Sequence, residues 1–515
     1  MFRLKRAAAV ALAATLALAG CAAGGGETGG GDGSGGGDGG GGTLTWGVIA
    51  PASTFAQKDM RWANESPYGQ AVYDSLLRAN PDFEVEPNLA TEWEYNEDNT
   101  VLTLTLRDDV TFTNGETLTA EDAAASLLAF KGGASPNATL LRNLADARAI
   151  DETTLELTLG APDPGMLSNL TQNAGLVAPA ELVDDPAMAT EPVGSGPYIL
   201  NTGETVVGSS YVFDKNEDYW KPEDQHYDKL VLQVYTDPTA LLNAVQGGQL
   251  NVTNVVDKTT VPQMEAAGYT LNRSELDWSG FLIMDRAGTL VPALGDVRVR
   301  QAINFALDRE ALLATMGAGF GEPTTQIFAP WSPSFDEELD EFYEYDVDRA
   351  KELLAEAGYE DGFEVTMPQT PSVAASTWTL MADQLAQIGI TVNYEQVQAT
   401  EFIPGILAAK YPMTWFQLQM GPTDWQLSQF QIAEQATWNP LRYTTPEVEE
   451  WIATIQTGTE DEAAEAGQEL NRYLVENAWN APFFRPTVTF MSDANTEAVP
   501  QTGNAVPYLW NVQPK

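Results

Sequence analysis

The stretch GDVRVRQAINFALDREALLATMG, residues 295–317, contains two helix starts in close succession. Asp296 stands ahead of Val-Arg-Val-Arg-Gln-Ala-Ile, and Asp308 ahead of Arg-Glu-Ala-Leu-Leu. A short carboxylate at each point can accept an orphan N–H of the first helical turn. Gly317 ends the second helix with a residue free to leave helical geometry. Arg298 and Arg300 read as side chains that fix the first helix against the body it packs on. Downstream, YDVDRAKELLAEAGY (345–359) puts Ala350, Leu353, Leu354 and Ala357 on one stripe, with Gly358 just past the end. That spacing predicts an amphipathic helix. FEVTMP (363–368) then reads as a strand, TWTLMADQLAQIG (377–389) as a second amphipathic helix, and ITVNYEQV (390–397) as another strand. Helix–strand–helix–strand order argues for an α/β layer arrangement.

Upstream of this block the pattern changes period. VLTLTLRD (101–108) alternates Leu102, Leu104 and Leu106 with polar residues, and TTLELTLG (153–160) does the same with Leu155, Leu157 and Leu159. Period-two alternation marks half-buried strands. KLVLQVYT (229–236) is a further strand. Between the first two lies LTAEDAAASLLAF (118–130), a helix with Thr119 as its cap and Glu121 and Asp122 in its first turn.

The chain opens MFRLKRAAAVALAATLALAGC, with Arg3, Lys5 and Arg6 ahead of a short Ala/Leu/Val run. This is a secretory leader over residues 1–20, too short to span a bilayer comfortably. Leu18-Ala19-Gly20-Cys21 resembles the lipobox of bacterial lipoproteins, which implies cleavage before Cys21 and acylation of its thiol. Two or three acyl chains suffice to hold a soluble body at a membrane. Residues 21–42 contain 14 Gly and three acids and no large apolar side chain. They read as a flexible tether with a reach of about 25 Å. The expected location is the extracytoplasmic face of a bacterial cell membrane, held by the lipid alone.

Composition excludes several classes. Lys and Arg number 26 against 73 Asp and Glu, a net charge of −47. Such a surface is unsuited to nucleic acid. It reads as a solvated exterior, and secondarily as a field that disfavours anionic solutes. Cys21 is the sole cysteine and His226 the sole histidine, so no disulfide framework and no multi-His or Cys–metal site is expected, nor any cofactor. His226, in PEDQHYDKL, reads as a loop residue. The roughly 470 residues after the tether exceed one core and predict at least two domains.

Several blocks, in order, resemble the bacterial extracellular solute-binding proteins of family 5, the peptide/nickel/opine group served by ABC importers. They are the run from Val72 to Ser126 (VYDSLLRANPDFEVEPNLATEWEYNEDNTVLTLTLRDDVTFTNGETLTAEDAAAS), PVGSGPYIL (192–200), NEDYW (216–220), VQGGQLNV (245–252), LGDVRVRQAINFALDRE (294–310), AKELLAEAGYEDGFEV (350–365) and LAQIGITV (385–392). The resemblance covers about residues 44–490. It implies a two-lobed periplasmic-binding-protein-like α/β fold of the large peptide-binding type, joined by two hinge strands near LDWSGFLIM (276–284) and APFFRPTVTFM (481–491). Lobe 1 would comprise 43–278 plus 485–515, with an extra subdomain over 74–188, and lobe 2 would comprise 279–484. The function implied is capture of oligopeptides or dipeptides by lobe closure and delivery to an ABC permease and its ATPase, by a monomer that makes and breaks no bond. The solute expected is uncharged or zwitterionic.

Site candidates follow from that placement. Trp278 and Phe281 lie on the first hinge strand, and Trp415, Trp425 and Trp438 in lobe 2; each offers a large face for a ligand, or core packing instead. In peptide-binding relatives an Asp after a strand pairs with the ligand amine, and Asp424 in QMGPTDWQLSQF (419–430) is the best positional match, although the surrounding pattern departs from theirs. Arg442, in NPLRYTT (439–445), can meet a carboxylate or serve as a helix-cap or surface residue. Oligosaccharide binding on the same fold is the alternative, because sugars stack on Trp. A secreted hydrolase and a sensory or adhesive lipoprotein are the alternatives of a different class; G-x-S-x-G, H-E-x-x-H and Walker patterns are absent.

Overall fold

A computed structural model describes residues 41–371 and 373–515. The leader, Cys21 and all but the last two residues of the tether lie outside the described residues. The central element is a ten-stranded sheet. Its long strand Asn480–Ser492 carries two sets of partners. One half pairs antiparallel with Asp277–Ile283 and Gly321–Pro323, and the other with Thr270–Glu275 and Val252–Asn254. Asp277–Ile283 in turn pairs with Met413–Gln419. On the far side, Val252–Asn254 leads to Thr43–Val48, Lys229–Val234, Ser210–Lys215 and Tyr198–Leu200.

The apolar cores divide along this sheet. The largest draws its buried residues from Trp278 to Phe484 only. A second joins Leu44, Trp46 and Leu232 to Phe490 and Tyr508, and a third is built from Leu76 to Val177. The chain thus forms two lobes, and the strands Thr270–Glu275, Asp277–Ile283 and Asn480–Ser492 carry it between them. At the crossing the backbones nearly touch. A Cβ on Gly280 would lie 2.5 Å from the Ala481 carbonyl oxygen, and the register shifts between Ser279 and Gly280. Beside it, Arg485 bridges Glu275 (2.8 Å) and Asp340 (2.8 and 2.9 Å).

Local structure follows the sequence patterns closely. Val101–Leu106 and Thr154–Leu159 pair antiparallel within a four-stranded sheet, their leucines turned into the third core. Ala120–Gly132 is a helix whose Thr119 and Asp122 form a reciprocal capping box. Asp296 and Asp308 cap Val297–Phe305 and Arg309–Met316. Arg300 donates to the carbonyls of Asn477, Ala478 and Leu294, which makes it a tie at a helix end. Val347–Glu356 buries Ala350, Leu353 and Leu354. Phe363–Gln369 and Ile390–Gln396 pair in parallel around the helix Ala375–Ala386. Among the described residues no helix is long and apolar enough to cross a membrane.

Candidate ligand cleft

A cavity of about 470 Å³ opens between the lobes, lined from segments 61–63, 136–142, 163–172, 419–430 and 503–504. The lobe 2 wall is the turn after strand Met413–Gln419. Gly421 takes φ 79°, a left-handed conformation that suits glycine. Thr423 then accepts a hydrogen bond from Gln426 N–H and starts the short helix Asp424–Leu427. This turn aims Trp425 and Gln426 at lobe 1. The facing loop is Ala-Pro-Asp-Pro-Gly, 161–165. Asp163 accepts from the Gly165 N–H at 3.1 Å, an Asx-type turn, and from Asn143 at 3.0 Å.

The two walls meet. Trp425 Nε1 donates to Asp163 Oδ1 at 3.1 Å, Gln426 donates to Asn169 Oδ1, and Gln456 donates to the Pro162 carbonyl at 2.9 Å. Asp163 is only 6 % exposed. It therefore accepts from three donors, one of them supplied by the opposite lobe.

The third wall comes from residues 61–63, ahead of helix Ser66–Val72. Ala63 stands at φ 51°, a conformation that costs a non-glycine residue about 1–3 kcal/mol. The bend sets Arg61 and Trp62 against the cavity. Sequence reading missed Arg61, Trp62, Arg142, Asp163 and Asn504. The adjacent Arg61-Trp62 pair before a Pro-started helix is the one signal that singles out any of them.

The predicted residues are placed differently from one another. Trp425 lines the cavity. Trp278 is fully buried and donates from Nε1 to Gln431 at 2.9 Å. Phe281 is buried edge-on to Phe483, ring centroids 4.9 Å apart. Trp415 is half-buried, bonded to Ser279 at 3.0 Å and edge-on to Trp378. Trp438 is buried against Phe416 at 4.5 Å. Asp424 accepts from the hydroxyls of Ser332 and Ser334 within lobe 2. Burial pushes its carboxyl above the ordinary Asp value, against the lowering effect of those hydroxyls. Arg442 is exposed at φ 58° and donates to the Glu434 carbonyl at 3.2 Å. Of the seven, only Trp425 is on the cavity wall. His226 contacts the Trp510 carbonyl at 3.1 Å.

Two lobes, crossing strands and a gap lined from both sides are the architecture of a solute-binding protein. Residues 84–438 match the bacterial extracellular solute-binding proteins, family 5, middle region, and the chain belongs to that family. A glutathione-binding protein GsiB of Salmonella paratyphi A is 27 % identical over 425 residues, 77 % of this chain and 79 % of that one. The fold is similar to the periplasmic binding protein DppA of Helicobacter pylori in complex with the peptide STSA, with TM-score 0.74 and 21 % identity, covering 92 % of this chain and 98 % of that one. It is also similar to AgaA of A. tumefacien R10 in complex with agropinic acid, with TM-score 0.73 and 22 % identity, covering 92 % and 99 %.

Proposed function

We propose that this protein is the lipid-anchored solute receptor of an ABC importer, and that its solute is a short peptide. One observation carries the reading. The cavity is closed over by a direct bond between Trp425 of one lobe and Asp163 of the other. A solute held there touches both lobes only when they meet, so its binding energy favours the closed form. The closed form then presents a composite surface to a permease and its ATPase, with Cys21 and the tether keeping the monomer nearby. The protein does no chemistry in this scheme. The volume lies near the lower end of the ~300–1,000 Å³ usual for small-solute sites. That favours a di- or tripeptide over a long extended chain. The division into 43–278 plus 485–515, 279–484 and the subdomain 74–188 is proposed on the partition of the cores.

Site roles are proposed accordingly. Trp425 is the aromatic wall of the pocket. Trp278, Phe281, Trp415 and Trp438 hold the hinge strand and the turn that carries Trp425. Asp424 braces that turn from behind, and Arg442 lies apart from the cavity. A second reading is an oligosaccharide receptor, favoured by the amides of Asn137, Gln172, Gln419 and Gln429, which line the same cavity as Trp62 and Trp425.

Thermal unfolding with di- to pentapeptides and with maltotriose separates the two. A bound tripeptide at a hundredfold excess over its Kd adds about 2.7 kcal/mol and raises the midpoint, while the sugar leaves it unchanged. Stabilisation by the sugar alone refutes the peptide reading.

A further inference from the structure

Taking the cleft as the solute site, we propose that Phe83, which does not itself line the cavity, is a positioning residue for it: its ring fixes the loop 501–504, which brings Gly503 and Asn504 to the wall. Strands Leu77–Ala79 and Val85–Pro87 pair antiparallel and are joined by Asn-Pro-Asp-Phe-Glu, 80–84. Asn80 organises this turn. Its side-chain oxygen accepts from the N–H groups of Asp82 (3.0 Å) and Glu84 (2.9 Å), and its carbonyl accepts from the Phe83 N–H (2.9 Å). The turn closes with Phe83 at φ 73°. In hairpin loops the left-handed place is the one that suits glycine. A bulky aromatic there is held against its own backbone preference, and such a conformation persists only where its surroundings over-determine it.

The C-terminal tail supplies those surroundings. The Phe83 ring is half-buried against the core that holds Tyr508 and Leu509. A Cβ on Gly503 would lie 3.6 Å from Phe83 Cδ2 and 3.7 Å from Cε2, so the ring edge sits against Gly503. Gly503 is itself left-handed, at φ 68°. Two polar bonds fasten the same pair of loops. The Thr502 N–H donates to the Pro81 carbonyl at 3.1 Å, and Gln501 Nε2 donates to the Asn80 carbonyl at 2.6 Å. The next two residues, Gly503 and Asn504, line the cavity. Asn504 is buried, its N–H donates to the Gln501 carbonyl at 3.2 Å, and its side-chain oxygen accepts from the Ala505 N–H at 3.0 Å. Its Nδ2 has no hydrogen-bond partner among the described residues. A loop that had to be ordered by the solute would subtract that cost from the affinity, whereas one held beforehand does not. Glycine at position 83 would close the hairpin without strain; only a large side chain there also reaches the tail.

Phe83→Gly, with Phe83→Tyr as the conservative control, tests this in the full chain. Hydrogen exchange is followed without solute, and trialanine is titrated by calorimetry. Glycine is at ease in the left-handed region, so relief of strain offsets the lost ring contact and the melting temperature should stay near the wild-type value. Exchange of the Thr502 and Asn504 amides should quicken about tenfold, with the amides of Leu77–Ala79 and Val85–Pro87 unchanged. Trialanine affinity should fall about tenfold. Phe83→Tyr should restore both. Unchanged exchange at Thr502 and Asn504 overturns the inference, and so does faster exchange there with unchanged trialanine affinity. A lowered melting temperature with exchange quickened throughout the chain shows a ring that only stabilises the fold, and overturns it as well. A wild type that ignores trialanine removes the peptide reading, and exchange at Thr502 and Asn504 alone then upholds or overturns the positioning role.

Discussion

Trp425→Phe isolates the contribution of the cross-cleft bond. The indole N–H reaches a buried carboxylate at 3.1 Å, and donor and acceptor belong to different lobes. A hydrogen bond to a charged group contributes about 1.5–3 kcal/mol net. In the open form both partners return to water, so the whole of that term acts on the open–closed equilibrium. Its loss lowers the closed-to-open ratio ~10- to 150-fold. The Gln426–Asn169 and Gln456–Pro162 bonds remain and keep closure possible. The solute's apparent affinity falls with the closed fraction, by up to the same factor. Because Trp425 also lines the pocket, the decisive measurement is made without ligand. The chain has one cysteine, so a Cys21→Ser background accepts a dye pair at two exposed sites, Asp146→Cys on one side and Glu460→Cys on the other. Single-molecule transfer efficiency should show the compact population depleted in Trp425→Phe. Asp163→Asn keeps an acceptor but loses the charge, and should give a smaller depletion. A compact population equal to wild type in both variants refutes the reasoning.

Asp424→Asn tests the bracing role: ligand affinity should hold, while Asp424→Ala strands two serine hydroxyls and lowers stability by about 1–3 kcal/mol in urea titration. The same site sets a pH dependence. Burial raises the carboxyls of Asp424, Asp74 and Asp277 above the unfolded Asp value of 3.8, so the folded state binds their protons more tightly. Their stabilisation is complete below pH 3.8 and is lost as pH rises through the raised folded values; the melting midpoint should therefore fall with rising pH in that window, less steeply in Asp424→Asn. Gly280→Ala forces a Cβ onto the Ala481 carbonyl at 2.5 Å and should part the crossing strands, lowering the urea midpoint and slowing ligand-induced closure seen by scattering. Cys21→Ser should move the protein from the membrane fraction to the medium, checked by detergent partitioning. Raising salt from 10 to 150 mM shortens the Debye length from about 30 to 8 Å, so stopped-flow association of N-acetyl-trialanine, which is anionic, should speed up while that of zwitterionic trialanine stays nearly constant.

The fold was legible where one residue type has one physical reason to be where it is. Asp296 and Asp308 sit ahead of apolar turns and cap them. Leu102, Leu104 and Leu106 alternate because one face of that strand is core. Ala350, Leu353 and Leu354 share a stripe for the same reason. The pocket was less legible because an aromatic residue has two good reasons to be where it is. Strand Asp277–Ile283 is buried on both faces from Trp278 onward, so alternation along it does not separate ligand-facing from core-facing side chains. Arg61, Trp62 and Asp163 reach the cavity through a left-handed Ala and an Asx turn. Those conformations arise from tertiary contacts and leave little trace in local propensity.

The acidity of the exterior and the donors of the cleft work on different length scales. Surface charge acts over roughly a Debye length, about 8 Å at physiological salt. It keeps the protein dispersed and sets a weak bias against anions in solution. Inside the gap the relevant distances are those of single hydrogen bonds, and closure removes the water that would screen them. Asp163 acts at this short range: it accepts from Asn143, Gly165 and Trp425, and the last of these bonds joins the two lobes.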